Sequence, residues 1–86
     1  MSKEFFIPQG IYAVGKDIPC GTYLLTALSD KSSVYIYTKN SQIPTWFDLD
    51  EKQSKCCYFE VGNGCILKIE GKNKIKRITS FPYLFK

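Results

Sequence analysis

Short runs of aliphatic, aromatic and β-branched residues alternate along this 86-residue chain with turn-forming residues. No stretch has the periodicity of a long amphipathic helix. The runs that predict strands are residues 10–14, 22–28, 33–38, 56–61, 65–70 and 74–80, with a terminal strand at 81–85 after Pro82. This pattern predicts an all-β fold, a small antiparallel sandwich or barrel of about six to seven strands, with residues 1–86 forming a single domain.

The connections between the later strands contain residues that favour tight turns. Asn63-Gly64 is the dipeptide typical of a type I′ hairpin turn, so it predicts that strands 56–61 and 65–70 are antiparallel neighbours. Gly71-Lys72-Asn73 and residues 29–32 predict two further tight connections. The C-terminal part is therefore expected to form a three-stranded meander.

A short internal repeat stands near the N-terminus. Residues 7–15 read IPQGIYAVG and residues 18–26 read IPCGTYLLT. Proline fixes φ in a turn, glycine permits a positive φ just after it, and the tyrosine opens a strand. The repeat predicts two successive turn-to-strand units. The repeated pairs are Ile7/Ile18, Pro8/Pro19, Gly10/Gly21 and Tyr12/Tyr23.

The run GIYAVGKDIPCGTYLL, residues 10–25, resembles a motif of small β domains in Firmicutes and their phages. That motif reads Gly-x-Tyr-x-Val-Gly-x-Asp-Ile-Pro-Ala-Gly-Thr-Tyr, and Cys20 stands here in place of its alanine. Residues 61–70 resemble the later hairpin of the same domains. The resemblance implies a β-sandwich-like accessory domain of surface, lipoprotein or phage-encoded proteins, with no catalytic residues to carry over. The matching residues are Gly10, Tyr12, Val14, Gly15, Asp17, Ile18, Pro19, Gly21, Thr22 and Tyr23.

The absence of long apolar runs bears on the compartment, and the compartment decides the expected state of the four cysteines. No apolar run of signal-peptide length follows the charged start, and none approaches the ~18 residues of a membrane span, so a cytoplasmic protein without membrane contact is expected. Cys20, Cys56, Cys57 and Cys65 are then expected to be free thiols that act as small core residues. A disulfide from Cys20 to Cys65 or Cys57 would require export. Adjacent Cys56 and Cys57 point to opposite faces of a strand, which disfavours zinc, so no cofactor or metal is expected.

The residue types that catalysis commonly uses are scarce. The chain has no histidine and no phosphate-binding glycine loop. Asp48, Asp50 and Glu51 cluster on a polar segment, where solvated charge is the simpler interpretation. The sequence therefore predicts that the protein is not an enzyme.

Residues 39–55 lack a strand period and predict a long loop with a short helical turn at 45–51. Trp46 and Phe47 on this loop, flanked by Asp48 and Asp50, resemble an interface anchor with a polar rim. The competing interpretation is that Trp46 folds back into the core. The leading hypothesis is a non-enzymatic protein-interaction module. By analogy with the resembling domains, it would be a phage- or prophage-encoded inhibitor or accessory protein that acts on a host protein.

Two other functions fit the sequence less well. The net charge of +4 is concentrated near the C-terminus, where basic strands could contact the phosphates of a nucleic acid while tyrosines stack on its bases. The third hypothesis is a structural subunit of a homo-oligomer. The residues of the nucleic-acid hypothesis are Lys72, Lys74, Lys76 and Arg77 for the phosphates and Tyr35, Tyr37 or Tyr58 for the bases.

Overall fold

Eight antiparallel strands make up two four-stranded sheets in the computed structural model, which describes residues 4–78. These residues contain no helix. The strands are β1 (Glu4–Ile7), β2 (Gly10–Ala13), β3 (Gly21–Ala27), β4 (Ser32–Tyr37), β5 (Thr45–Leu49), β6 (Cys56–Val61), β7 (Ile66–Glu70) and β8 (Asn73–Ile78). The predicted all-β antiparallel sandwich is confirmed.

The connectivity is that of an eight-stranded jelly roll. The first sheet has the order β1-β8-β3-β6, and the second sheet has the order β2-β7-β4-β5. Every connection except β4–β5 passes from one sheet to the other. Two sheets wound in this way leave four connections at one end of the sandwich and three at the other, and the four meet above the core.

The core lies between the sheets, where alternate residues of each central strand point inward. In β3 and β4 the alternation is complete: Tyr23, Leu25 and Ala27 are buried, as are Ser32, Val34 and Ile36. The inward residues of the other strands close this core. They are Ile7, Leu49, Phe59, Val61, Leu67, Ile69 and Ile75.

The predicted C-terminal meander is wrong. Among residues 4–78, β6 pairs only with β3, whereas β7 pairs with β2 and β4 in the other sheet. The turn at Asn63-Gly64 closes with a hydrogen bond from the Cys65 amide to the Gly62 carbonyl, 3.2 Å long. Its third residue, Gly64, has φ +94° and Asn63 does not have a positive φ, so the turn follows the type II pattern and not type I′. The predicted connections at 29–32 and 71–73 likewise cross between the sheets.

Six of the predicted strands correspond to β2, β3, β4, β6, β7 and β8. The predicted strand at 81–85 lies outside the described residues, and β1 was not expected. The prediction of a loop with a helical turn at 45–51 is wrong, because β5 occupies that segment and pairs along β4 from Ser32↔Leu49 to Ile36↔Thr45. The cross-strand partner, which the local sequence does not show, makes this segment extended.

The internal repeat builds the same hydrogen bond twice. The Tyr12 hydroxyl donates to the Pro8 carbonyl, and the Tyr23 hydroxyl donates to the Pro19 carbonyl at 2.5 Å. Each bond closes the chain between the proline and the strand that follows it, in the manner of a tyrosine corner. Tyr23 is buried, and its ring stacks on Phe59 with centroids 5.9 Å apart.

Candidate functional site

Trp46 lies on the outer face of the second sheet and is 53% exposed. Its neighbour Phe47 points to the other side of β5 and packs against the core. Asp48 is exposed on the same side as Trp46, while Asp50 follows the strand and accepts a hydrogen bond from the Lys52 amide at 2.7 Å. The structure thus places Trp46 and Asp48 on one surface and separates Phe47 and Asp50 from them.

A row of side chains crosses all four strands of the second sheet at the level of Trp46. Trp46 is opposite Tyr35, Tyr35 is opposite Lys68, and Lys68 is opposite Ile11. With strands ~4.8 Å apart, the row is about 14 Å long. Tyr37 and Ile66 form the adjoining row. We call these six residues the Trp46 face: Ile11, Tyr35, Tyr37, Trp46, Ile66 and Lys68.

The one charge within the Trp46 face is already engaged by its neighbours. The Lys68 ammonium lies 5.6 Å from the centroid of the Tyr35 ring and 3.4 Å from a carboxylate oxygen of Glu70. At the rim, the carboxylate of Asp48 accepts a hydrogen bond from the Ser33 hydroxyl at 2.9 Å. The face is therefore mostly apolar and aromatic, with one lysine in its central row and carboxylates at one rim.

The residues of the nucleic-acid hypothesis are only partly brought together: Tyr58 lies on the same outer face as Lys76, with Leu24 of β3 between them, but the other two tyrosines do not. Lys74 and Lys76 lie on the outer face of the first sheet, on the side of the sandwich opposite Tyr35 and Tyr37. Lys74 also forms an ion pair with Glu4 at 3.3 Å.

The two remaining basic residues have different surroundings. Arg77 faces the other side of β8 and donates a hydrogen bond to the Cys20 carbonyl at 2.8 Å. Lys72 lies in the β7–β8 connection. The four cationic groups do not form one surface with the two tyrosines.

Three members of the Trp46 face were missed as site residues by sequence reasoning. The exposed side chains of Ile11 and Ile66 and the ammonium of Lys68 belong to β2 and β7, which are far from Trp46 in the chain. The period-two alternation of β7 indicates that Ile66 and Lys68 point away from the core, whereas β2 has no such alternation to indicate the direction of Ile11. The register between strands, which places them in line with Trp46, has no local sequence signal.

All four cysteines are free thiols. Cys57 and Cys65 pack against the core, but Cys20 and Cys56 are exposed, so the prediction that all four are core residues is wrong for these two. Cys20 lies in the connection before β3, and Cys56 is on the outer side of β6. Burial, with a smaller contribution from Cys56, raises the pKa of the Cys57 thiol to about 11. Within residues 4–78, no cluster of three potential metal ligands is found.

No helix in the described part of the chain is long and apolar enough to cross a bilayer. Comparisons of the chain with protein-family models, with curated proteins and with solved structures find no match. The architecture and the surfaces of the molecule therefore carry the functional argument.

Proposed function

We propose that this chain is a non-enzymatic binding module that docks a protein partner on the Trp46 face. The observation that carries the proposal is the exposure of Trp46 at the end of a row that crosses a whole sheet and contains, besides Lys68, only apolar and aromatic residues. Tryptophan and tyrosine dominate binding hot spots because a rigid ring buries a large area at small entropic cost. Contiguous exposed apolar surface of this kind is typical of interaction sites.

The chemistry of the face defines the partner that fits it. The centre would accept an apolar or aromatic side chain, which would be desolvated against Trp46 and Tyr35. The exposed carboxylate of Asp48 at the rim favours a partner with basic groups around that side chain. Because the face belongs to a hydrogen-bonded sheet, its backbone is ordered before binding, which limits the entropic cost of association.

The resemblance of residues 10–25 to phage and Firmicute domains supports a finer version of this proposal. In that version, the chain is an accessory protein or inhibitor that acts on a host protein. A small domain with an aromatic binding face suits this role, because blocking a surface requires no catalytic group.

The test compares three tagged baits in lysate of a Firmicute treated with nuclease. The baits are the wild-type chain, Trp46→Ser and Tyr58→Ser, because Tyr58 is an equally exposed aromatic residue, at 59%, on the other sheet. We expect the wild-type chain and Tyr58→Ser to retain one protein in near-stoichiometric amount. Loss of a hot-spot contact worth about 2 kcal/mol weakens binding about 30-fold, so Trp46→Ser should retain almost none.

Each alternative function has its own result in this experiment. Equal retention by the three baits would contradict the proposal, provided that circular dichroism shows all three to be folded. Retention that depends on nucleic acid and is lost in a Lys74→Ser, Lys76→Ser variant would favour the nucleic-acid hypothesis. A wild-type dimer in light scattering that dissociates on Trp46→Ser, with no other protein retained, would favour the homo-oligomer.

A further inference from the structure

A cavity of about 950 Å³ opens at one end of the sandwich, where four connections between the sheets meet. Cavities that bind small molecules in proteins generally measure ~300–1,000 Å³, so this one is large enough for a ligand. Phe6, Ile7, Pro8 and Leu28 form an apolar wall. Polar groups of the β3–β4, β5–β6 and β7–β8 connections complete the lining.

Hydrogen bonds between the connections hold the rim of this end cavity. The Gly71 amide donates to the side-chain carbonyl of Gln9 at 3.1 Å, which joins the β1–β2 connection to the β7–β8 connection. The Leu28 amide donates to the Lys72 carbonyl at 2.8 Å. The carbonyl of Ser29 accepts from the Glu51 amide at 3.3 Å. All four connections are thus joined, and the cavity is preorganised rather than formed by loose loops.

The floor of the cavity contains an unusual polar group. Asn73 is 0% exposed and lines the cavity, and its side-chain nitrogen donates to the Glu70 carbonyl at 3.1 Å. Its Oδ1 accepts no hydrogen bond from any residue within 4–78. A buried amide oxygen without a donor costs free energy. This oxygen is covered in the structure, so a donor in the cavity would reach it only after the Asn73 side chain turned toward the cavity.

We propose that the end cavity binds a small molecule that has an apolar ring face and several hydrogen-bond donors. The exposed ring of Phe6 offers a stacking surface to the apolar face of the ligand. The carboxylates of Asp30 and Glu51 are acceptors, whereas the Lys72 ammonium is the one charged donor among the described residues of the lining. Hydroxyl or ammonium groups complement such a lining, and a carboxylate does not.

A saccharide and an aromatic amine share this chemistry, and both serve as probes. The end cavity and the Trp46 face share no strand and no residue, so this proposal does not depend on the proposed protein partner. If the end cavity binds no ligand, the proposed protein partner of the Trp46 face is unaffected, and the reverse also holds.

The experiment is a titration of the ¹⁵N-labelled chain, followed by heteronuclear NMR, with phenyl β-glucopyranoside, with tyramine and with benzoate. We expect saturable shifts of the amides of residues 28–30 and 71–73 with the glucoside or with tyramine, and none with benzoate. The probe that binds more tightly shows whether the ligand donates hydrogen bonds from hydroxyl groups or from an ammonium group. If tyramine binds more tightly, Asp30→Asn should weaken tyramine binding, because the substitution removes a negative charge. Binding of the glucoside should be less sensitive to that loss of charge.

Phe6→Ser and Ile43→Ser are the matched variants, because both residues are highly exposed, at 78% and 72%, and only Phe6 lines the cavity. Loss of the stacking ring should weaken binding about fivefold in Phe6→Ser and leave it unchanged in Ile43→Ser. Three results would overturn the proposal: no saturable shift with either probe, equal binding of benzoate, or unchanged binding by folded Phe6→Ser.

Discussion

Removal of one hydroxyl group, in Tyr23→Phe, tests whether the internal repeat stabilises the fold through its tyrosine hydrogen bonds. The substitution keeps the ring, its volume and its stacking on Phe59, and removes only the bond to the Pro19 carbonyl. Tyr12→Phe is the matched variant, since Tyr12 is half-buried and its equivalent bond to the Pro8 carbonyl is exposed to solvent.

The magnitude follows from burial. A typical hydrogen bond contributes about 1 kcal/mol net, and more where removal leaves a buried group unpaired. Tyr23 is only 4% exposed, but Pro19 is exposed, so the Pro19 carbonyl regains some hydration once the Tyr23 hydroxyl is removed. We therefore expect Tyr23→Phe to lower the free energy of unfolding by about 1.5 kcal/mol, or about 6–12 °C in Tm for a domain of this size. Tyr12→Phe should cost about 0.5 kcal/mol because water competes for its bond.

Urea unfolding followed by far-UV circular dichroism measures both variants against the wild-type chain. The slope of free energy against urea should stay constant, which shows that the change lies in stability and not in the extent of unfolding. A loss below about 0.5 kcal/mol for Tyr23→Phe would refute the reasoning. A Tyr12→Phe variant as destabilised as Tyr23→Phe would refute the argument from burial.

Three further predictions concern the backbone and the thiols. Gly71→Ala should lower the free energy of unfolding by about 2–3 kcal/mol, because Gly71 has φ +85° and a Cβ there would lie 2.5 Å from the Lys31 carbonyl oxygen. Gly62 has open space around it, so the control Gly62→Ala should change that free energy by less than about 0.5 kcal/mol in the same urea assay. Iodoacetamide at pH 8 should alkylate exposed Cys20 well before Cys57, as peptide mass spectrometry would show, since a thiol with a pKa of about 11 is largely protonated at that pH. Folding raises the pKa of the Cys57 thiol from 9.0 to about 11, because the folded protein favours the protonated form. The free energy of unfolding should therefore fall as pH rises from about 9 to 11. Cys57→Ala should make that decline less steep, and an unchanged decline would contradict the raised pKa of Cys57.

Local patterns in the sequence predicted most of the strands but not their arrangement. The alternation in residues 33–37 and 66–70 shows which side of each strand is buried, and that information holds whichever strand lies beside it. Asn63-Gly64 showed a turn correctly. Whether a turn folds a strand back on its neighbour or carries it to the opposite sheet depends on packing across the core, which no dipeptide records. The predicted meander failed for this reason.

The candidate site shows the same limit. The sequence singled out Trp46, but it placed Phe47 beside it as a second anchor, because residues 45–49 were not recognised as a strand. Once β5 is extended, alternation directs Phe47 inward and leaves Trp46 exposed. The contribution of Ile11 and Lys68 depends on long-range register between strands distant in the chain. Sequence reasoning therefore found the anchor residue of the Trp46 face but not its extent.

Photocrosslinking from the Trp46 face tests the central claim most directly. The photoreactive amino acid p-benzoylphenylalanine replaces Trp46 in one protein and Tyr58 in another, and both are irradiated in nuclease-treated Firmicute lysate. The account predicts one discrete crosslinked protein from position 46, heavier than a dimer of this chain or distinct from it by mass spectrometry, and none from position 58. The same crosslinks from both positions, or none from position 46 in the folded protein, would contradict it.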